Sequence, residues 1–448
     1  MYDRILKICI IFAFAVSAGV ISIAAQGAKF DRPGSYERFL DALGGMTVNE
    51  AVAAAINNNP ELAAMHKEVA VGEALVRQAK LRANPTLDIK GTKQTDGPDN
   101  SFMIEGGIPL ELAGRRGSRI RVAEQELEIR KLAAAERERQ IASEVRAKFG
   151  DGLAAALKLK FIEEMLATAT DNYDLVSAQV SEGRRAPLER NMELVELNRI
   201  RGMRETSEGE AEIKLLELRN LIGMTPDQPL KLRGDLDVEI MNLPLQAEAI
   251  DQALRTRPDL GGAKAVERLS AARAEQARSE GRIDADVMLG YQKMRTGFPL
   301  SGYDETGMLM PIDMRSNTFT FGVRFTLPVF DRKQGMVAAA KLEGEAATKR
   351  REFGELTIRR EVASAIVRYN STVKAAEIFR VGVREQSAQN LDVIRQTYEL
   401  GSKTLFDYIA ELRRCIDAEM GYIEARNAAY QAKVEFMRAV NAPELIVR

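Results

Sequence analysis

The sequence predicts a mainly α-helical protein with a small membrane-type β part. It reads as a tandem duplication in which each half joins a β-hairpin to a very long helical hairpin. Three observations carry this: short motifs recur at nearly constant offsets, two proline-free helical stretches exceed 70 residues, and one ten-residue stretch alternates apolar with polar or small side chains. Ala, Glu, Arg and Leu dominate and Trp is absent, a composition that favours long helices.

Residues 1–27 read as a secretory signal peptide. Arg4 and Lys7 precede an apolar stretch from Ile8 to Ile23, too short to span a bilayer comfortably. Small residues at Ser22, Ala24, Ala25 and Gly27 suit cleavage. A short N-terminal anchor helix is the competing reading. Cys9 lies inside the apolar stretch, so cleavage leaves Cys415 alone, too few cysteines for an intrachain disulfide or a Cys-rich metal site. Beyond the N-terminus no segment reaches 18 consecutive apolar residues, so no transmembrane helix is expected, although an exported chain can still cross a membrane as a β-barrel. The net charge of −1, from 64 basic and 65 acidic residues, argues against nucleic acid as a partner.

The two repeats are expected at 28–234 and 235–448. Asn59-Pro60-Glu61-Leu62 matches Arg257-Pro258-Asp259-Leu260, each between helical runs. Ile108-Pro109-Leu110 matches Leu327-Pro328-Val329, and Gly183 matches Gly401. The prolines at 60 and 258 are 198 apart, those at 109 and 328 are 219 apart, and the glycines 218 apart. The helical arms therefore match in length, and the extra 21 residues of the second half fall in its hairpin. They are expected as a turn-rich loop near Arg295–Ser316, which holds Gly, Pro, Asp and Asn.

Thr318 to Leu327 is the clearest strand, with Phe319, Phe321, Val323, Phe325 and Leu327 on one face. Its expected partner is Asp286–Met294. The first half offers Thr86–Lys93 and Phe102–Ile108. Four strands cannot close a barrel, for which about eight are needed. Either the sheet is soluble, or several chains share one barrel. The helices favour sharing. Ile358, Val362, Ile366, Tyr369, Val373, Ala376, Phe379 and Val383 recur at three- and four-residue spacing, as do Leu405, Ile409, Leu412, Ile416, Met420 and Ile423. About 65 residues at 1.5 Å each make a rod of roughly 100 Å, which cannot fold back into a globule and must assemble with others. The shorter returning arms are expected at Leu188–Leu221 and Leu405–Val440. The remainder, Gly223–Leu245 and the N-terminal arm, is expected as a belt around the rods.

From about Thr47 to Leu445 the chain resembles the TolC-like outer-membrane efflux proteins. The Asn-Pro-Glu-Leu and Arg-Pro-Asp-Leu repeats, the strand-ending prolines and the doubled helical hairpin carry the resemblance. The run Pro109-Leu110-Glu111-Leu112-Ala113-Gly114-Arg115-Arg116-Gly117-Ser118-Arg119 and the run from Leu327 to Gly335 look like the CzcC-type, heavy-metal efflux subgroup. The resemblance implies a homotrimer whose twelve-stranded barrel, set in outer-membrane lipid, continues into a periplasmic α-helical tunnel. It implies two partners, a periplasmic adaptor and an inner-membrane pump of the proton-driven resistance-nodulation-division type. The chain would then be a passive exit duct for divalent heavy-metal cations. The same duct exporting organic drugs or polypeptides, or a periplasmic coiled-coil adaptor without a barrel, are the alternatives.

A duct needs a gate rather than a catalytic group, and no catalytic residue or cofactor is expected. The resemblance points to the hairpin turns. In Tyr398-Glu399-Leu400-Gly401-Ser402-Lys403-Thr404-Leu405-Phe406-Asp407, Gly401 suits a helix C-cap, Lys403 and Thr404 fill the turn, and a helix resumes. By the resemblance, Tyr398 and Lys403 tie the coils shut. Asp407 lines the entrance, where three copies would form an acidic ring. In the first-half turn Gly183 is the counterpart of Gly401, Pro187 opens the next helix, and Glu189 is the acidic partner for a Lys403–Glu189 latch. A second acidic position one turn past Asp407 is occupied by Ala410. Equally, the glycines could be plain caps and the charges solvated, worth under about 1 kcal/mol each. His66 is the single histidine. Met294, Met308, Met310 and Met314 could suit Cu(I), but packing at a rim is the plainer reading, and no stable metal site is expected.

Overall fold

The computed structural model describes residues 35–236 and 241–446; the expected signal peptide lies outside them. The element order runs twice. The first half comprises α1 (Val48–Asn58), α2 (Pro60–Lys80), β1 (Thr86–Lys93), β2 (Asn100–Pro109), α3 (Arg115–Ser181) and α4 (Pro187–Leu221). The second comprises α5 (Gln246–Thr256), α6 (Pro258–Glu280), β3 (Asp284–Tyr303), β4 (Leu309–Thr326), α7 (Gln334–Ile378), α8 (Gln386–Glu399) and α9 (Leu405–Val440). A π-helical stretch, Phe379–Glu385, joins α7 to α8. At 67 residues α3 is about 100 Å long. Its counterpart runs without a break from Gln334 to Glu399.

The proline motifs start helices by different chemistry. In the first half Thr47 and Glu50 form a capping box on α1, and the Asn59 carboxamide accepts from the backbone N–H of Glu61 and Leu62 to start α2 at Pro60. In the second half Arg257 replaces the capping Asn. Its buried guanidinium binds Asp259 and reaches Glu361 on α7 at 2.7 Å, which fixes α6 against the long helix.

The four strands form one antiparallel sheet in the order β1-β2-β3-β4, so β1 and β4 are its edges. The segment Arg295–Ser316, expected as a loop, is strand over most of its length. The β3–β4 ladder continues out to Tyr303 and Leu309, and only Asp304–Met308 turns. The turn-forming residues that suggested a loop are accommodated. Pro299 falls in the register shift between Gly297 and Ser301, and Pro311 sits on an edge strand, where proline is tolerated. The turn itself is closed by the Asp304 carboxylate, which accepts from the backbone N–H of Thr306 and Met308, with Gly307 at φ 80°.

Packing is concentrated near the midpoint of the long helices. Ile141, Val145, Phe149 and Leu153 of α3 bury themselves against α1, α4 and the connection that carries Leu230, Leu232 and Leu236. This connection and the N-terminal arm hydrogen-bond to each other: Leu232 N–H donates to Phe39 at 2.7 Å and Arg233 N–H to Met46 at 2.8 Å. A second cluster joins α5 and α6 to Ile358, Val362 and Ala365 of α7 and to Phe436 and Val440 of α9. Burial fades along α7 and α8. Ile358, Val362 and Tyr369 are buried, whereas α8 has no buried residue in this single chain. The periodic stripe read from the sequence is therefore present but only partly covered.

Candidate functional site

The hairpin turns named by the sequence share one backbone design. Gly183 has φ 72° and Gly401 φ 76°. In each, the next residue's N–H reaches back five residues, Arg184 to Gln179 and Ser402 to Thr397, both at 2.9 Å. Both are left-handed caps that fold the chain back after a long helix, a conformation glycine adopts without a Cβ penalty. The helices then restart differently. Pro187 occupies the first position of α4, and its N-cap Ala186 supplies no side-chain bond. Thr404 caps α9 in a reciprocal box with Asp407.

That box gives Asp407 a local task. Its carboxylate accepts from the Thr404 backbone N–H at 3.0 Å and from the Thr404 hydroxyl at 2.8 Å, and these bonds hold it below the usual carboxylate range.

The two turns meet through Arg185. Its guanidinium donates to Glu189 at 2.8 Å and to the Tyr398 hydroxyl, and it lies over the Tyr398 ring at 4.6 Å. Tyr398 stacks on Tyr408 with centroids 5.7 Å apart, and Asn172 of α3 donates to the Tyr408 hydroxyl at 2.7 Å. Within this chain Glu189 is thus held by Arg185 of its own turn. The expected Lys403–Glu189 contact is not formed, because Arg185, one helical turn before Glu189, reaches it first. Among the described residues Lys403 makes no ion pair; it acts on Asp407 by proximity.

Beneath this latch α4 carries two buried carboxyls. Glu196, 1 % exposed, receives Arg413 of α9 through two nitrogens at 2.9 and 2.8 Å, and Arg199 at 2.7 Å. Burial pushes Glu196 up, but the two guanidiniums outweigh it and hold the carboxyl below its ordinary value. Glu193, 3 % exposed, has no comparable partner. Burial first, then repulsion from Glu196, pushes it up to about 7, with Arg185 opposing. Tyr408 faces it from α9, its phenol pushed up chiefly by burial.

Arg185, Asn172, Glu193, Glu196, Tyr408 and Arg413 were not singled out from the sequence. The available signal was Glu193 and Glu196 at the three- and four-residue spacing of Leu197 and Ile200, charged residues on a face that should pack.

The sheet is the second candidate surface. Following the register, one face collects Leu87, Ile89, Phe102, Ile104, Ile108, Val287, Leu289, Tyr291, Phe319, Phe321, Val323 and Phe325. The other carries Asp88, Lys90, Glu105, Asp286, Gln292, Thr318, Thr320 and Arg324, with Arg324 and Glu105 at 3.8 Å. Phe319 and Phe321 are 80 % and 85 % exposed, so none of the described residues covers that part of the apolar face. No helix among the described residues is long and apolar enough to cross a membrane.

Comparison with known proteins returns a family model described as outer membrane efflux protein, which matches residues 51–223 and 249–442. The two blocks start 198 residues apart and end 219 apart, the offsets of the internal repeat. The cobalt-zinc-cadmium resistance protein CzcC of Cupriavidus metallidurans is 23 % identical over 398 residues, covering 88 % of this chain and 89 % of CzcC. Among solved structures, CusC superposes with a TM-score of 0.72 at 16 % identity, covering 92 % of this chain and 95 % of CusC. The outer-membrane channel OprN gives a TM-score of 0.71 at 17 % identity, covering 89 % and 90 %.

Proposed function

This chain belongs to the TolC-like outer membrane efflux protein family, and from that premise we propose that it is the exit duct for divalent heavy-metal cations. It resides in the outer membrane. Three copies join β4 of one to β1 of the next, closing a twelve-stranded barrel that continues into a helical tunnel. An inner-membrane proton-driven pump of the resistance-nodulation-division type supplies the energy, and a periplasmic adaptor links the two. Each copy contributes both repeats, which we place at 28–234 and 235–448.

The observation that carries this reading is the four-stranded sheet with two free edges, an uncovered apolar face and a polar reverse. Four strands cannot close on themselves, and an open edge in lipid leaves unpaired backbone groups that cost several kcal/mol each. Joining copies edge to edge removes every edge, turns the aromatic face to lipid and lines the lumen with the Asp88, Glu105 and Arg324 face. The bare flank of α7 and α8 is covered by the same assembly. The gate is assigned to the turns: Arg185, Glu189 and Tyr398 latch the two hairpins, while Lys403 and Asp407 face the entrance beside Gly183, Pro187, Gly401 and Thr404. The cargo is assigned from CzcC, whose name records cobalt, zinc and cadmium resistance.

Two measurements test the reading. Native mass spectrometry of the detergent-extracted protein should give three chains, and a single-chain mass refutes the shared barrel. A deletion strain should lose tolerance to Co²⁺, Zn²⁺ or Cd²⁺ and regain it on complementation. Loss of tolerance to organic compounds alone reassigns the cargo.

A further inference from the structure

The second hairpin outruns the first. β2 ends its pairing with β3 at Asn100–Arg295, while β3 and β4 continue together to Tyr303 and Leu309. Opposite the register shift of β3, the six β4 residues from Leu309 to Met314 set the height of this ribbon at roughly 20 Å, at about 3.3 Å each. At that height no other strand flanks the ribbon, and an isolated two-stranded ribbon is marginally stable in water.

The ribbon reverses the polarity of the sheet below it. On the face that carries Phe319 and Phe321, the register next places Asn317, Arg315 and Asp313 on β4 and Lys293 and Arg295 on β3. Arg295 pairs with Asp313, and Arg315 lies 4.0 Å from the same carboxylate. The lipid-facing belt therefore ends in a charged row, and beyond it the paired residues on that side are Ser301 and Pro311, then the tip pair Tyr303–Leu309. On the opposite face, polar below at Thr318 and Gln292, the register places Met294, Met314, Ile312 and Met310. They are 37 %, 51 %, 42 % and 53 % exposed. Together they leave on the order of 350 Å² of apolar surface, the size at which patches on monomers mark contact sites.

We infer that the Met294–Met314 face of this ribbon is a contact surface for the same ribbon of neighbouring copies, so that three ribbons meet over the outer mouth of the duct. This rests on the shared-barrel reading. The apolar face continues the lumen side of the sheet, so in a closed barrel it looks toward the axis and away from lipid. The reach is sufficient. Twelve strands spaced about 4.8 Å and tilted about 40° enclose a radius of roughly 12 Å, less than the length of the ribbon. Each copy offers the same unbranched, adaptable thioethers around one Ile, a surface suited to packing against itself. The charged row on the reverse faces water and keeps the ribbon out of the bilayer.

Site-directed cross-linking in intact cells tests this, in a Cys9→Ser, Cys415→Ser background. Ile312→Cys should form interchain disulfides with oxidant at least tenfold faster than Arg315→Cys, which sits on the reverse face. Equal rates, or no cross-link at Ile312→Cys while the native mass remains three chains, overturn the contact. A native mass of one chain instead refutes the shared barrel itself. In a second measurement, Gly297 is joined to Asp313, its directly paired residue, through Asn-Gly, which removes the ribbon and leaves the sheet. Single-channel conductance should at least double; unchanged conductance overturns the inference.

Discussion

Replacing Glu193 by Gln removes a titration near neutral pH from the hairpin tips. The carboxyl titrates near 4.5 when solvated and near 7 where it lies. At 1.36 kcal/mol per tenfold change in proton affinity, that difference is about 3 kcal/mol; water reaching the open tip reduces it to about 2 kcal/mol. The sign follows from the direction. Below pH 4.5 the group is protonated both in the folded tip and in the opened chain, and its burial carries no charge penalty. As pH rises through 7 the folded tip must ionise a buried carboxyl beside Glu196, and stability is lost. Above pH 8 the full 2 kcal/mol is missing. The cation acting on Glu193 is Arg185, which also holds Glu189 and Tyr398, so an ionised Glu193 competes for the latch.

Hydrogen exchange of the segment 187–200, corrected for intrinsic pH dependence, reads this directly. Protection in the wild type should fall by roughly 30-fold between pH 3.5 and pH 8.5, and Glu193→Gln should abolish that fall. A Gln amide that finds no partner lowers protection equally at every pH, so the test is the difference in slope. Parallel profiles for the two proteins would refute the assignment of a buried, titrating carboxyl.

Arg185→Ala removes an ion pair and a cation–π contact, together about 1–2 kcal/mol. It should raise open probability in bilayer recordings, and an unchanged gating record would count against the latch. Asp407→Asn retains an acceptor for the α9 cap but deletes the charge, so it should weaken cation selectivity or cation block with little change in helix stability. Asp407→Ala should also lose the carboxylate half of the capping box, under about 1 kcal/mol of helix stability by thermal melting, while Thr404 keeps its bond from the residue-407 N–H. Gly401→Ala and Gly183→Ala meet no atom within 4 Å, so each should cost only the left-handed backbone term, about 1 kcal/mol, and the two melting shifts should agree.

The long-range plan was readable where a local rule acts over many residues. The alternation at Thr318–Leu327 and the spacing from Ile358 to Val383 repeat often enough to outvote single exceptions, and α9 begins and ends at the expected Leu405 and Val440. The ribbon was misread because its composition argues for turns. Gly297, Pro299, Gly302 and Pro311 each permit a strand only in a particular place, at a register shift or on an edge, and those places are set by pairing. Its alternation was also hidden, since the apolar residues change parity from the odd Phe positions to the even Met310, Ile312 and Met314. The π-helical stretch at Phe379–Glu385 leaves no proline or glycine pair to announce it; there the Phe379 ring packs against Gly421 of α9, where a Cβ would come within 2.9 Å.

The latch was invisible for a different reason. Arg185 and Tyr398 are 213 residues apart, and no local pattern links them. Alignment of the repeat pairs Gly183 with Gly401 and so equates the two turns, whereas the contact depends on how they differ. The first turn supplies the ion pair, Arg185 and Glu189, and leaves its helix uncapped. The second holds the aromatic ring and uses its own carboxylate, Asp407, as a cap. Two turns with the first turn's chemistry would set guanidinium against guanidinium; two with the second's would offer rings only to Lys403, an ammonium without the planar face that Arg185 lays over Tyr398. The contact between the hairpins therefore uses unlike side chains on copies with the same backbone. The divergence of the turns is what the contact is made of, and exchanging the residues at 185 and 398 should restore part of the protection lost in either single variant. If the double exchange is no better protected than the worse single variant, the contact is not the source of the coupling.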